Sequence, residues 1–243
     1  MAKAGRGGKR GAGGGAGALP QSNQPMETDS AAFAQFDKMT DDEKADVITA
    51  SINQGVPAHL SDTAYQRFIY NMNLNDRPQL VDDATLAAMP GKTLHRTVNA
   101  VYDSKNDLGY NADQIAKQIQ SGRITRTSDN GGSVYGRGLY FADNLRDSTV
   151  YGRTRGNVKK TAVVSAKLNS KANVINYHTA RSAADREIRS GSKLGRALSK
   201  ADSASQVSIY ALSKGYNVIS NGSTYLNVLN RNAITMSKSV NPI

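Results

Sequence analysis

Apolar positions in residues 33–88 recur with the period of an α-helix. Thr40 and Glu43 have the spacing of a capping box, in which each side chain bonds the backbone amide of the other residue, and an apolar stripe follows them. This pattern predicts a small helical segment. Two further helices are predicted to begin within it, one at Ser61 and one at Asp82 or Asp83.

Beyond Gly91 the pattern changes to short apolar runs between helical stretches. Asn111 and Gln114 have the spacing of a second helix cap. The predicted strands are 92–98, 138–142, 160–168, 172–175, 215–219, 224–230 and 233–236, and the predicted helices are 111–120, 144–151 and two or three within 179–214. Because helices and strands are mixed without strict alternation, we expect an α+β fold.

The first residues of the chain have little to bury. Of residues 1–17, eight are Gly and four are Lys or Arg. Such a segment cannot offset the entropy lost on ordering, so we predict a disordered, Gly-rich basic arm over residues 1–32. The arm is either a contact for nucleic acid or another polyanion, or a flexible solubilising tail. The predicted division is this arm, the helical segment at 33–88 and a domain at 89–243.

Charge is distributed unevenly between these parts. The whole chain of 243 residues has a formal net charge of +11. Residues 1–88 contain 8 basic and 11 acidic side chains, whereas residues 89–243 contain 23 and 9. The larger domain is therefore suited to an anionic ligand or acceptor.

Composition excludes several kinds of chemistry. The chain contains no Cys, which removes disulfides, Cys-ligated metals and thiol nucleophiles, and its three His residues are scattered, so no metal site is predicted. No apolar run approaches the roughly 18 residues of a membrane span, and the N-terminus has no apolar signal region. We expect a protein with no membrane contact and no classical secretion, located in the cytoplasm, or in a virion or host cytoplasm if the chain derives from a phage.

Residues 133–152 contain the candidate chemistry. Gly136 and Gly138 precede a predicted strand, and glycine there permits positive φ and close approach of the backbone to a ligand. Tyrosine rings could stack on a flat aromatic amide while a hydroxyl bonds its amide group. The residues suited to this are Tyr140, Ser148 and Tyr151, the last two on one face of a helix. The alternative is a simple turn with tyrosines that fill a core.

The order of these motifs resembles the ADP-ribosyltransferase family. LHRT is similar to the family's first strand motif, with Arg96 at its Arg/His position and Thr97 at its Gly position. GRGLYF, followed by Ser148 and Tyr151, is similar to the G-x-G-[IL]-Y-F and Ser-x-x-Tyr motifs of the poly(ADP-ribose)-polymerase and diphtheria-toxin-like branch. GYNVI and YLNVLNR look like its last strands. The resemblance spans residues 90–236.

The resemblance implies a split β-sandwich that binds NAD⁺ and transfers ADP-ribose to a protein or nucleic-acid acceptor, with release of nicotinamide and without a metal. Arg96 would hold a phosphate or the ribose, the backbone of Thr97 would bond the nicotinamide amide, and the two tyrosines would stack on the ring. The NAD⁺-binding residues implied are Arg96, Thr97, Gly138, Tyr140, Ser148 and Tyr151.

One catalytic position departs from the family. The family's Glu at the start of a late strand aligns with Thr224, or with Ser223 after a shift of one residue. Thr224 can bond a ribose hydroxyl but cannot act as a base near neutral pH. Glu187 is either a displaced catalytic acid or part of a solvated helix face. The catalytic set implied is therefore Arg96, Tyr140 and Thr224, with Glu187 as the displaced acid, and it favours single transfer over chain elongation.

Two other functions remain open at this point. The chain could be a weakly active or inactive member of the same fold that serves as a structural or accessory protein, for example in a virion, or it could bind nucleic acid through its basic domain. The basic run from Arg146 to Lys160 is either such a contact or a solvated face. His95 points away from Arg96 if the strand alternates, which favours packing. No feature indicates the oligomeric state.

Overall fold

The computed structural model describes residues 31–58, 60–74, 76–99, 101–103, 108–122, 133–153 and 161–242. Residues 1–30 of the predicted arm and residues 154–160 of the basic run lie outside this described part. The described residues confirm an α+β architecture, and the predicted strands are all found with bounds shifted by at most three residues.

The helices are α1 (Ala31–Lys38), α2 (Asp41–Asn53), α3 (Ala64–Asn71), α4 (Asp83–Ala88), α5 (Ala112–Gln120), α6 (Leu145–Arg153), α7 (Tyr177–Ser190), α8 (Lys193–Leu198) and α9 (Ser203–Ser213). The strands are β1 (Gln79–Val81), β2 (Leu94–Asn99), β3 (Val101–Asp103), β4 (Leu108–Tyr110), β5 (Leu139–Ala142), β6 (Thr161–Leu168), β7 (Val174–Asn176), β8 (Val218–Ser220), β9 (Tyr225–Val228), β10 (Ile234–Ser237) and β11 (Asn241–Pro242). Two 3-10 turns cover Ser133–Tyr135 and Arg231–Ala233.

Helix caps explain several of these boundaries. The capping boxes of α2, at Thr40 and Glu43, and of α5, at Asn111 and Gln114, are both present as predicted. The expected start of α3 at Ser61 is wrong by two residues, because Thr63 takes the cap position and its hydroxyl accepts the backbone N–H of Gln66 at 3.2 Å. An oxygen at this position satisfies an amide that the helix itself leaves unpaired.

Strand β1 was not predicted, since it lies inside the segment that the sequence assigned to helices. Its three residues pair in parallel with β10, with Gln79 opposite Thr235. A strand of this length has too few residues to show alternation, and its partner lies at the far end of the chain.

One nine-stranded sheet organises the molecule, in the order β1-β10-β6-β2-β5-β9-β8-β7, with β11 also paired to β6. β2 pairs with β6 over six residues, but it meets β5 through the single pair His95 and Ala142. The sheet therefore has two halves joined at one residue pair, and β2 and β5 diverge beyond it. The hairpin of β3 and β4 forms a separate two-stranded sheet.

Two buried clusters fill the molecule. One contains apolar residues of β2, β5, β6, β10 and α5, including Leu94, Val98 and Phe141. The other joins the predicted helical segment to the C-terminal half, since Phe36 and Phe68 are buried in the same cluster as residues of α8 and α9. The helical segment thus packs directly on the α+β domain.

Candidate functional site

Arg96 links the two halves of the sheet where they diverge. It lies on β2, and its neighbours at alternate positions, Leu94 and Val98, are buried in the sheet core. Its Nη1 donates a hydrogen bond to the carbonyl oxygen of Tyr140 on β5 at 2.9 Å. A guanidinium can make several such bonds in one plane, so it holds the two strands together next to the single pair that joins them.

Thr97, the next residue of β2, is bonded by helix α6. Its backbone N–H donates to Ser148 Oγ at 2.7 Å, and its own hydroxyl lies 2.9 Å from the same oxygen. Ser148 is buried. Thr97 and Ser148 thus lie together and bond each other, and their binding of a nicotinamide amide stays a prediction.

Tyr140 fastens the glycine-containing loop that precedes its strand. Its hydroxyl donates to the carbonyl oxygen of Gly136 at 2.6 Å and accepts the backbone N–H of Tyr135 at 3.0 Å. Its ring is half-buried. Tyr151 was expected to stack opposite it. The backbone of Tyr151 lies in α6, but its side chain is outside the described part of the chain.

The loop from Tyr135 to Gly138 is clamped by two buried polar side chains. Ser208 Oγ of α9 accepts the backbone N–H of Arg137 at 2.7 Å, and Asn227 Nδ2 of β9 donates to the carbonyl oxygens of Tyr135 and Arg137. Gly138 has φ of 149°, and a Cβ there would lie 2.1 Å from Asn227 Oδ1. The glycine thus permits the close approach of Asn227, a side chain of the protein itself, and the approach of a ligand to this backbone stays a prediction.

Thr224 lies immediately before β9, where its carbonyl oxygen accepts the backbone N–H of Asp143 at 2.9 Å. Asp143 follows β5 directly after the GRGLYFA sequence, but no role was predicted for it. Its carboxylate forms an ion pair with Lys92 at 2.9 Å, and this bond holds the pKa of Asp143 below its usual value. The strand end that lacks the expected Glu therefore has an ionised carboxylate beside it.

Glu187 lies elsewhere in the fold. It belongs to α7, and its carboxylate accepts a hydrogen bond from the hydroxyl of Ser192, the cap residue of α8. This hydrogen bond connects α7 to the start of α8. The structure does not join Glu187 by any described hydrogen bond to Arg96 or Ser148.

Three half-buried tyrosines form a cluster next to Thr224 that the sequence did not predict. The ring of Tyr135 lies edge-on to Tyr177 at 5.3 Å between centroids, and it faces Tyr225 at 6.5 Å with 23° between the planes. His178 contacts Tyr177 at 5.4 Å. Tyr135 and Tyr225 flank motifs that the sequence singled out, but nothing local marks Tyr177, which lies 42 residues from Tyr135.

A depression of about 430 Å³ lies between the helical segment and the C-terminal helices. Polar side chains dominate its lining, among them Arg67, Arg137, Lys200, Asp62 and Asp202. Each arginine is paired with one of the aspartates, at 2.5 and 3.5 Å. Its cations are largely neutralised and neither Arg96 nor Ser148 lines it, but Arg137 brings the loop between Gly136 and Gly138 to its edge.

His95 lies on the face of β2 opposite to Arg96, as strand alternation requires. It is half-buried, its Nδ1 lies 3.4 Å from Ser165 Oγ, and burial lowers its pKa. Within the described residues, no three His, Asp or Glu side chains cluster as a metal site would need. None of the described helices combines the length and apolarity required to cross a bilayer.

Comparison with protein-family models, with curated proteins and with solved structures found no significant match to this chain.

Proposed function

We propose that the protein is a mono-ADP-ribosyltransferase that uses NAD⁺ and releases nicotinamide. The observation that carries the proposal is the direct bonding between residues from three separate motifs. Arg96 bonds Tyr140 and Thr97 bonds Ser148, although 44 and 51 residues separate the members of these pairs. Residues brought together from such distances in the order of the resembling family support a shared site.

The donor set suits a carboxamide. A nicotinamide amide presents one carbonyl acceptor and one NH₂ donor, and Thr97 N–H with Ser148 Oγ can satisfy both. The ligand would have to replace the bond that these two groups now make with each other. Because one protein hydrogen bond is exchanged for others, the exchange costs little net free energy.

The junction of the two half-sheets also supports the proposal. A split β-sandwich needs two sheets that separate at a cleft, and β2 and β5 diverge after one residue pair. Arg96 lies at this divergence, where its positive charge would favour the pyrophosphate or the ribose. Cleavage of the glycosidic bond develops positive charge on the ribose, so the reaction also calls for a negative group nearby.

Thr224 in place of Glu makes the proposed activity slow. The hydroxyl can bond a ribose oxygen but carries no charge, and the nearby Asp143 carboxylate is already paired with Lys92. The same substitution favours the rival function, an inactive fold that acts as a structural, accessory or nucleic-acid-binding protein. Calorimetric titration with NAD⁺ separates the two, since the rival predicts no heat of binding.

The activity test measures nicotinamide released from NAD⁺ by the full chain, with ADP-ribose label followed into added protein and nucleic acid. Arg96→Lys keeps the positive charge but loses the planar guanidinium, which can form two parallel hydrogen bonds to one partner. Because charged hydrogen bonds contribute about 1.5–3 kcal/mol, we expect release to fall by about ten- to a hundredfold. Equal release by wild type and variant, with folding confirmed by circular dichroism, would contradict the assignment.

Restoring the carboxylate gives a matched pair of variants. Thr224→Glu is expected to increase nicotinamide release by about tenfold or more, because a carboxylate would then face the developing charge. Ser223→Glu, at the exposed neighbouring position, tests the alignment shifted by one residue, so an increase with one variant alone identifies the position of the missing carboxylate. An increase with neither variant would count against an ADP-ribosyltransferase site at this strand end.

A further inference from the structure

The tyrosine cluster of Tyr135, Tyr177 and Tyr225 stands at one end of a basic helix surface. Tyr177 is the first residue of α7, and His178 next to it is exposed. The exposed positions of α7 continue from His178 through Ser182 to Arg186 and Arg189, at the spacing of one helix face. His178 and the two arginines therefore share one face of α7, whereas Tyr177 lies in the first turn of the helix, where it packs against the neighbouring buried cluster.

The charges on this surface are available for a ligand. Arg186 and Arg189 are exposed, and neither forms an ion pair with a carboxylate in the described part of the chain. By contrast, Arg181 is paired with Asp185 at 3.1 Å, and Glu187 is engaged by Ser192. The outer face of α7 is thus positive, whereas the acidic residues of the helix are held in other contacts.

We propose that single-stranded nucleic acid binds here, with unpaired bases on the tyrosine cluster and the phosphate backbone along the exposed face of α7. Proteins that bind single strands combine aromatic rings, on which bases stack, with cations that follow the backbone. α7 has 14 residues and a length of about 21 Å, enough for several nucleotides. A duplex, whose bases are already stacked on one another, gains nothing from the tyrosines.

This inference does not depend on the proposed transferase activity, because the binding test contains no NAD⁺. If nicotinamide release fails and oligonucleotide binding succeeds, only the enzyme assignment is lost. If binding fails, the assignment of an NAD⁺ site is untouched. Because Tyr225 follows Thr224, a base bound at the cluster would lie near the start of β9, where the resembling family has its Glu.

The test uses the full chain and a fluorescein-labelled single-stranded DNA of about 12 nucleotides, followed by fluorescence anisotropy over a range of salt concentrations. The chain contains no Trp and 11 Tyr, so quenching of tyrosine emission that is lost in Tyr177→Leu reports stacking at the cluster. We expect Tyr177→Leu to weaken binding by about five- to a hundredfold, the range found for loss of one stacked base. Tyr177→Phe retains a ring and should bind like the wild type.

The controls separate stacking and local charge from general effects. Tyr216→Leu removes a half-buried tyrosine that follows the C-terminus of α9 and lies outside the tyrosine cluster. This variant should leave the affinity unchanged. Arg189→Gln should reduce the slope of log affinity against log salt by about 0.7, as expected for one lost phosphate contact on a single strand. Lys117→Gln removes an exposed charge of the same sign from α5 and should not alter the slope.

Three results would overturn the proposal. Equal affinity for a duplex of the same length would mean that base stacking plays no part. Tyr177→Leu and Tyr177→Phe losing affinity equally would remove the role of the ring. Lys117→Gln reducing the salt slope as much as Arg189→Gln would show attraction to net charge rather than to α7.

Discussion

The side chain of Thr97 can be partly buried because another side chain forms a hydrogen bond with its hydroxyl. It occupies the position at which the resembling family has glycine, and its hydroxyl would be an added polar group in a partly buried place. Ser148 Oγ lies 2.9 Å from that hydroxyl, so the extra group is hydrogen-bonded rather than buried alone. The threonine side chain is thereby accommodated next to its own backbone amide.

Protonation of His95 is expected to destabilise the fold. Because burial lowers its pKa, the unfolded chain binds more protons than the folded chain just below pH 6.5 or so. Stability that is complete above this value is therefore lost as the pH falls through it. Urea unfolding at about pH 8 and about pH 5 measures the loss, and His95→Gln, which does not titrate, should show less of it. An equal loss in both proteins would contradict this assignment.

Residue-level prediction succeeded where both partners are close in sequence. The capping boxes need only residues three apart, so Thr40 with Glu43 and Asn111 with Gln114 could be identified directly. Asn227 could not, because it bonds the loop at Tyr135 from 92 residues away. No periodicity or spacing records a contact of that kind.

At the scale of elements, the loop before β5 is positioned by strand β9 and helix α9 together. Asn227 reaches it from the strand and Ser208 from the helix, and Gly138 leaves the room that Asn227 occupies. The loop is therefore a rigid support for Tyr140. This explains why the sequence could identify the two glycines as special but could not say which group comes close to them.

Gly138→Ala is expected to destabilise the protein by about 2–4 kcal/mol, since the new methyl group would overlap Asn227 and the backbone has a φ that side chains avoid. Urea unfolding measures the change. Gly55→Ala is the matched control, because nothing lies within 4 Å of its added methyl group. If the two substitutions had similar effects, the close packing of the loop would be refuted.

For the molecule as a whole, the N-terminal helices and the C-terminal half form one packed body. Phe68 lies 5.4 Å from Phe36, ring to ring, in the cluster that also contains residues of α9. Lys44 donates to the carbonyl oxygen of Ser213 at 2.7 Å, and the hydroxyl of Tyr65 donates to that of Leu229 at 3.1 Å. The sequence predicted these helices but not their partner surface, since contacts 164 and 169 residues apart leave no local pattern.

Phe68→Ala is therefore expected to weaken the entire fold by about 3–5 kcal/mol, the usual cost of truncating a fully buried Phe. Far-ultraviolet circular dichroism and tyrosine fluorescence should report one shared unfolding transition, at a lower urea concentration than in the wild type. Tyr70→Ala, on the same helix but 42% exposed, should shift it much less. A separate early transition of the helices alone would contradict a common core.

The parallel pairing of β1 with β10 has a consequence for biosynthesis. Residues 79–81 are translated long before the strand that pairs with them, at 235–237. Until then the nascent chain must carry an unpaired strand edge and the unburied rings of Phe36 and Phe68. A chain truncated or stalled before residue 235 would therefore expose surfaces of the kind that chaperones bind.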